Sequence, residues 1–498
     1  MLQNSINKYR LRIYEHPLVS LLSIAFLFRM LAVIYAKGFM APDDHFLTIE
    51  IADGWLKGFN NWYTNKPPMR GILYPYLVTA SMWILKQVSI TAPEAVMFLI
   101  RLSHGIWSLI TIPLIYFGVR KYSDERTAFT AGLMGAIFYI APFMSVRNLP
   151  EFFCQPILLG GLILADFSSD NEEFKSRNWL FSGLLLGLGF MLRYQNSVIP
   201  AGVFFYLALK KNWRSLIPFT LGAAVILIIE IFMDYLSYGS LQFPFINSLI
   251  FQSGHVKAYV TNPFYTHFAT ILLAFIPPFS FILLWWCWRG AKKMPIMFWG
   301  TLIFLVFHSI IPQKQERFIF PILPELIVLG MIGSYGSSLV AKSWVKLTWK
   351  WFWTVNILML MIVTFNYSQK ARVESLIKLG KIPDLTDIIE INTEHPMNPP
   401  KYYLNKDAEI HLIHRWEQLD SVAPEIYEKH LENDKTSCYI VIYNHKPLQY
   451  YLDNLYQRIP AMEEVDHITP SLVDALLHLM NPLHNHSKEA YIYKWVFI

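Results

Sequence analysis

Hydrophobic positions in this chain fall in long unbroken runs, not in the strict alternation or the narrow 3.6-residue stripes of a water-soluble fold. The runs at 18–36, 96–119, 127–145, 150–166, 216–237, 266–287, 296–312, 319–341 and 347–366 are long enough to cross a hydrocarbon core of about 30 Å as helices. Two shorter runs, 179–192 and 197–209, read as thin or tilted spans that meet at Arg193. Together these predict eleven spans, and an odd number places the two chain ends on opposite sides of the membrane. The stretch 71–86 is also apolar but contains Pro75, and counting it as a span would reverse every later loop. It is therefore read as a helix of the first external loop, 37–95, lying on or dipping into the membrane. From about residue 370 the chain turns polar; 437–443 and 490–498 read as strands and 470–480 as an amphipathic helix. The expected fold is an α-helical polytopic membrane protein, with a transmembrane domain over 1–369 and a small external α/β domain over 370–498.

Composition agrees: 54% of the residues are hydrophobic and 16% charged, where a soluble chain carries about a quarter charged. The 16% aromatic share suits interfacial belts and lipid-facing surfaces. A formal charge of +6 is scattered through loops instead of forming one stripe, which argues against a nucleic-acid partner. Where the positive charge falls sets the orientation, because Lys and Arg collect in short cytoplasmic loops. Arg120, Lys121 and Arg126, then Lys175 and Arg177, then Lys210, Lys211 and Arg214, then Arg289, Lys292 and Lys293, then Lys342, Lys346 and Lys350 follow this rule. Lys8, Arg10 and Arg12 precede the first run, and no small-residue cleavage site follows it, so it reads as a retained helix with a cytoplasmic N-terminus. Cys154, Cys287 and Cys438 are too far apart for a disulfide framework or a cysteine zinc site.

Candidate chemistry gathers on the external side. The first external loop opens with Ala41-Pro42-Asp43-Asp44-His45-Phe46 and continues to Glu50 and Asp53. Adjacent carboxylates raise each other's pKa, which suits one of them to proton abstraction in a cleft that excludes water. A solvated acidic loop or a calcium site accounts for the same residues equally well. Arg70, Arg147, Arg193, Lys314 and Arg317 place positive charge on the external side, against the inward bias of the other loops. A lipid-linked phosphate would bind them through charge-assisted hydrogen bonds; snorkelling to headgroups, or pairing with Glu151 and Glu316, is the alternative for each taken singly. Arg29 and Arg101 lie inside spans, where charge is costly unless paired or wet, and Arg101 is the nearer to the external end. Asp234, Tyr238 and Gly239 mark the external end of another span.

These residues resemble the polytopic mannosyltransferases of GPI-anchor and N-glycan assembly that use dolichol- or polyprenyl-phosphate mannose, glycosyltransferase family 22 of the GT-C class. The family's His-Pro-Asp-Glu motif after the first span is similar to Ala41-Pro42-Asp43-Asp44, and its Ile-Arg-Ser segment to Met69-Arg70-Gly71. An Arg-Thr-Leu-Ser-Asn stretch resembles Arg147-Asn148-Leu149, and an Asp before Tyr-Gly resembles Asp234, Tyr238 and Gly239. Its His-Lys-Glu-x-Arg-Phe signature, with prolines following, looks like Gln313-Lys314-Gln315-Glu316-Arg317-Phe318, Pro321 and Pro324. The departures are Ala41 and Gln313 for the family His, and Asp44 and Gln315 for its Glu. The resemblance implies inverting transfer of a sugar, mannose in the family, from a polyprenyl- or dolichyl-phosphate donor to a hydroxyl of a glycolipid or surface glycan. Asp43 would be the base, with Asp44 or Glu50 tuning or orienting it. Lys314, Arg317, Arg147 and Arg193 would bind the phosphate, with Arg70, Arg101, Asp234 and Tyr238 as further substrate-binding candidates. No cofactor is required; a divalent metal has candidate ligands in Asp43 and Asp44 but is not part of the expectation. The family places such enzymes in the bacterial inner membrane with a periplasmic site, or in the endoplasmic reticulum membrane with a lumenal one. From another functional class, a transporter or flippase of lipid-linked glycans also uses intramembrane Arg and broken helices.

Overall fold

The computed structural model describes residues 15–59, 68–170, 173, 175–254, 261–393, 397–431, 436–480 and 489–497. Lys8, Arg10 and Arg12, on which the expected orientation of the first helix rests, lie outside the described residues, as does Ile498 at the end of the last expected strand. Among the described residues six helices are long and apolar enough to cross a membrane: Pro17–Tyr35, Pro93–Arg120, Pro150–Ser169, Trp213–Tyr238, Glu316–Ser334 and Ser343–Thr364. Ser176–Leu192, Val198–Leu209 and Pro295–Ile310 are shorter helices over other apolar runs. Helix is the form these runs must take, because hydrocarbon offers no partner to a backbone N–H or C=O left open. The chain is an integral membrane protein.

Two runs are broken, each for a local reason. Run 127–145 divides into Glu125–Ile137 and Ile140–Ser145. At the break Tyr139 N donates to Asn356 Oδ1 (2.9 Å) and Asn356 Nδ2 donates to the Ile137 carbonyl (2.8 Å), so one side chain replaces two lost helix bonds. Run 266–287, expected as one span, is instead the pair Thr266–Ala274 and Phe279–Gly290, bent by 105°. Pro277 and Pro278 lie in the bend; neither has an N–H to continue a helix, and the indole of Trp351 donates to the open Pro277 carbonyl (2.9 Å).

The chain forms two compact units: Met1–Val33, Gly58–Val78 and Ile100–Thr364 make one, and Ile34–Lys57, Thr79–Leu99 and Phe365–Ile498 the other. Within the first, Ser176–Leu192 and Trp213–Tyr238 touch backbone to backbone. A Cβ on Gly183 would lie 2.0 Å from the Phe219 carbonyl oxygen, so only glycine permits the approach. Charges inside this unit are tied down. Arg29 donates from Nε to Ser108 Oγ (2.6 Å) and from Nη1 to the Ala136 carbonyl (3.0 Å), and Asp166 caps Pro295–Ile310 by accepting from Ile296 N (2.9 Å) and Met297 N (2.8 Å).

The second unit is built on a five-stranded sheet. Its strands are β1 (Leu385–Ile391), β2 (Glu409–Ile413), β3 (Ser437–Tyr443), β4 (Met462–Ile468) and β5 (Ala490–Trp495), in the order β2-β1-β3-β5-β4. β1 pairs in parallel with β2 and β3, while β5 runs antiparallel to β3 and β4. β3 is buried along its whole length, and Ile389, Ile440, Ile442, Tyr451, Leu455 and Trp495 form the core around it. The acidic segment of the first loop belongs to this unit. Ser368 N donates to the Lys37 carbonyl (3.1 Å) and Tyr402 N donates to Glu50 Oε1 (2.9 Å).

Candidate functional site

Pro42 at the start of the short helix Pro42–Phe46 places Asp43 and Asp44 in its first turn, where the exposed N–H groups favour negative charge. The two acids differ sharply. Asp44 is 2% exposed and accepts from Met40 N through Oδ2 (2.9 Å), which fixes the entry of the chain into the turn. Asp43 is only half-buried and is the more accessible of the pair.

His45, 1% exposed, lies between the rings of Phe39 (5.1 Å between centroids) and Tyr403 (5.2 Å, planes within 9°). Its Nε2 is 3.0 Å from Glu50 Oε1, the same oxygen that accepts from Tyr402 N. Glu50, expected to orient Asp43, thus holds His45 and the 402–403 turn. Asp53 pairs with Lys57 (2.7 Å) in the next turn of chain.

In the other unit the expected cations converge on one acid. Glu151 is 1% exposed in the turn Pro150–Phe153; Arg193 Nη2 lies 2.9 Å from its Oε1 and Arg317 Nε 3.9 Å from the same atom. Both guanidinium groups stand 5.5 Å from the ring of Phe318. Arg317 pairs with Glu151 here, and its Nε donates to Gln315 Oε1 (2.8 Å), a residue of the aligned signature. Each comes from irregular chain. Arg193 follows Ser176–Leu192 in an extended conformation, and Arg317 sits in the 3-10 turn Glu316–Ile322, which includes Pro321. Lys314 donates to the Ile311 (2.6 Å) and Asn262 (3.1 Å) carbonyls, and Arg147 packs 4.3 Å from the Phe143 ring.

Other predicted residues are placed as follows. Arg70 is exposed, and the glycine after it is required, because a Cβ on Gly71 would lie 2.8 Å from the Met191 carbonyl oxygen. That contact seats the Arg70 segment two residues from Arg193 in the Met191 turn. Arg101 donates from Nε to the Val33 carbonyl (3.0 Å) at the end of the first helix. Asp234 and Tyr238 are buried on one face of Trp213–Tyr238, one turn apart.

Sequence reasoning missed three groups. Glu230 lies one turn before Asp234 on the same buried face, a spacing of four that could have flagged it. His267 is 1% exposed with neither ring nitrogen hydrogen-bonded among the described residues. His308, 3% exposed, donates from Nδ1 to the Phe304 carbonyl (2.9 Å), and its Nε2 has no partner there. Nothing in the local sequence separates these two histidines from satisfied core residues.

Comparison with known proteins bears on this arrangement. Residues 20–419 match the model of the Alg9-like mannosyltransferase family. The chain is similar to GPI mannosyltransferase 3 of Schizosaccharomyces pombe, 23% identical over 379 residues that cover 68% of this chain and 71% of the relative. It is also similar to GPI mannosyltransferase 4 of Eremothecium gossypii, 21% identical over 480 residues, 90% and 89% of the two chains. Among solved structures it resembles ArnT from Cupriavidus metallidurans bound to undecaprenyl phosphate, with TM-score 0.64 at 12% identity over 96% of this chain and 98% of that one. The archaeal oligosaccharyltransferase AglB from Archaeoglobus fulgidus, in complex with an inhibitory peptide and a dolichol-phosphate, gives TM-score 0.50 at 13% identity over 92% and 74%. The fold is that of the GT-C membrane enzymes.

Proposed function

The chain belongs to the Alg9-like mannosyltransferase family, and on that premise we propose that it moves mannose from a polyprenyl- or dolichyl-phosphate donor to a hydroxyl of a glycolipid, with inversion at the anomeric carbon. Membership makes the protein a glycosyltransferase and sets the transporter reading aside. The donor phosphate, the acceptor and the residue roles are the proposal.

In the reaction, Asp43 takes the proton of the acceptor hydroxyl as its oxygen attacks the anomeric carbon from the face opposite the phosphate. The bond from that carbon to the phosphate oxygen breaks, and its electron pair leaves with the polyprenyl phosphate. Arg193 and Arg317, with Lys314 and Arg147, hold the phosphate and stabilise the charge it gains. A poorly solvated site strengthens such contacts well beyond their worth in water. Asp44 supports the turn that carries Asp43. The cations do the work a metal would otherwise do, so the proposed reaction uses none. Asp43 and the phosphate site face the non-cytoplasmic side: periplasmic in a bacterium, lumenal in the endoplasmic reticulum.

The observation that carries this reading is the meeting of Arg193 and Arg317 at Glu151, two cations from distant parts of the chain held in a buried place where charge is expensive. Its test is release of polyprenyl phosphate from polyprenyl-phosphate mannose by purified protein given a glycolipid acceptor, and its loss in Asp43→Asn.

A further inference from the structure

The helix Leu472–Met480 of the second unit turns its apolar side outward. Leu472, Leu476, Leu479 and Met480 are 71%, 43%, 78% and 80% exposed. Their spacing of i, i+4, i+7 and i+8 puts all four on one helical face. Asp474, on the opposite face, is 6% exposed. This inverts the usual arrangement of a surface helix, which hides its apolar stripe and shows its acids to water. We propose that the face formed by Leu472, Leu476, Leu479 and Met480 is a membrane-binding site, embedded in the acyl and headgroup boundary of the external leaflet.

Attachment argues for lipid as the occupant. Ser471, immediately before the helix, donates from Oγ to Asn366 Oδ1 (2.9 Å). Asn366 lies two residues beyond the end of the membrane helix Ser343–Thr364. Consecutive Cα atoms are 3.8 Å apart, so Asn366, to which the start of Leu472–Met480 is tied, lies within about 8 Å of the point where that helix ends.

Aromatic residues mark the same level. Tyr35, the last residue of the first membrane helix, packs against Phe365 with ring centroids 4.9 Å apart, and both are largely exposed, as rings at a lipid–water boundary are. A backbone bridge between Gly38 and Ser368 joins the two chain exits, and the exposed Lys37 beside it stands over the ring of Tyr367, a cation and an aromatic side chain of the kinds that gather at such a boundary. Four large apolar side chains on a helix tied to that boundary meet the requirement for an in-plane helix, whose binding scales with the apolar area it buries. Seated in this way, the helix limits how far the sheet domain and the loop bearing Asp43 can lift from the lipid surface.

Full-length protein in nanodiscs tests the site, one labelled cysteine at a time. Leu472→Cys, Leu476→Cys, Leu479→Cys and Met480→Cys carry a bimane fluorophore, with Glu463→Cys on the exposed side of β4 as control; the three native cysteines are buried. Brominated acyl chains are expected to quench the four helix positions at least twofold more than the control, and aqueous iodide to show the reverse order. Iodide quenching at the helix equal to that at Glu463→Cys, without quenching by brominated lipid, would overturn the proposal. Protection from both quenchers would overturn it too, since the face would then be covered by protein.

Discussion

Arg193 places Nη2 2.9 Å from Oε1 of Glu151, a carboxylate that is 1% exposed. Arg317 approaches the same oxygen at 3.9 Å, so one buried acid orients two guanidinium groups brought from separate turns. In the proposed reaction Glu151 is a positioning residue, holding both forks in place before the lipid phosphate arrives. Glu151→Ala should therefore weaken polyprenyl phosphate binding by about tenfold, roughly 1.4 kcal/mol. Glu151→Gln keeps an oxygen at the same place and should retain most of the affinity. Binding of polyprenyl phosphate, compared with the uncharged polyprenol, reads the effect; an equal loss for both lipids would mean that Glu151 only holds the fold.

Arg317 gives a sharper contrast. Its Nε donates to Gln315 Oε1 (2.8 Å), which fixes the plane of the guanidinium that the proposed reaction turns to the lipid phosphate. Arg317→Ala should cost a few kcal/mol of transition-state stabilisation, about a hundredfold in kcat/KM or more. Arg317→Lys should recover only part of it, because a point charge cannot reproduce the planar fork. Steady-state kinetics on the two variants checks this, and full activity in Arg317→Lys would count against bidentate binding.

An imidazole in any protonation state carries at least one N–H, and in His267 it has no acceptor among the described residues. A buried donor without a partner is costly, and a phosphate oxygen is the acceptor the proposed donor would bring. His267→Phe, which removes the donor at similar size, should raise KM for the lipid-phosphate sugar about tenfold, and His267→Asn should restore part of the loss. Unchanged KM in His267→Phe would assign the histidine to packing.

In the sheet domain, Asp387 of β1 is fully buried and accepts from His411 Nε2 (3.1 Å), Lys429 Nζ (2.8 Å) and His430 Nε2 (3.0 Å). Burial by itself pushes its carboxyl upward, but bonds from His411, Lys429 and Thr386 outweigh it and hold the group well below the usual carboxylate range. The folded pKa is thus below the unfolded one, so this contribution is complete above about pH 4 to 5 and is lost as the pH falls further. Asp387→Asn takes the charge from the buried acceptor that Lys429, His411 and His430 share, at a cost of about 1–3 kcal/mol at neutral pH. Hydrogen exchange on β1 and β3 peptides of the full-length protein should show faster opening in the variant at pH 7, with the gap closing below about pH 4.

Much of this architecture is legible in the sequence because hydrocarbon leaves the backbone few choices. The apolar runs become helices, and the segments 437–443 and 470–480 are seen as the strand and helix expected of them. The bend at Pro277 and Pro278 was not read, since the apolar pattern continues through it and only the pair of prolines marks the break. β1 and β4 carry acids at Asp387, Glu390, Glu463 and Glu464, which masks the strand pattern. The cations of the candidate site stand out in the sequence because they fall in loops that the charge bias assigns to the side poor in Lys and Arg. Glu50 was legible as an acid but not as the partner of His45 and Tyr402, because Tyr402 enters from a segment some 350 residues later. His267 and His308 are distinguished by buried ring nitrogens without a hydrogen-bond partner among the described residues, a property of three dimensions alone.

The most direct test is turnover of polyprenyl-phosphate mannose by the purified wild type and by Asp43→Asn, with polyprenyl phosphate release followed by mass spectrometry alongside donor binding. Loss of the base should lower kcat by orders of magnitude while donor affinity stays within about threefold, because proton abstraction acts only in the transition state. The buried Asp44, changed to Asn, should lose less turnover and more stability. Undiminished product release by Asp43→Asn would contradict the account, as would a wild type that binds the donor but transfers nothing to any glycolipid hydroxyl.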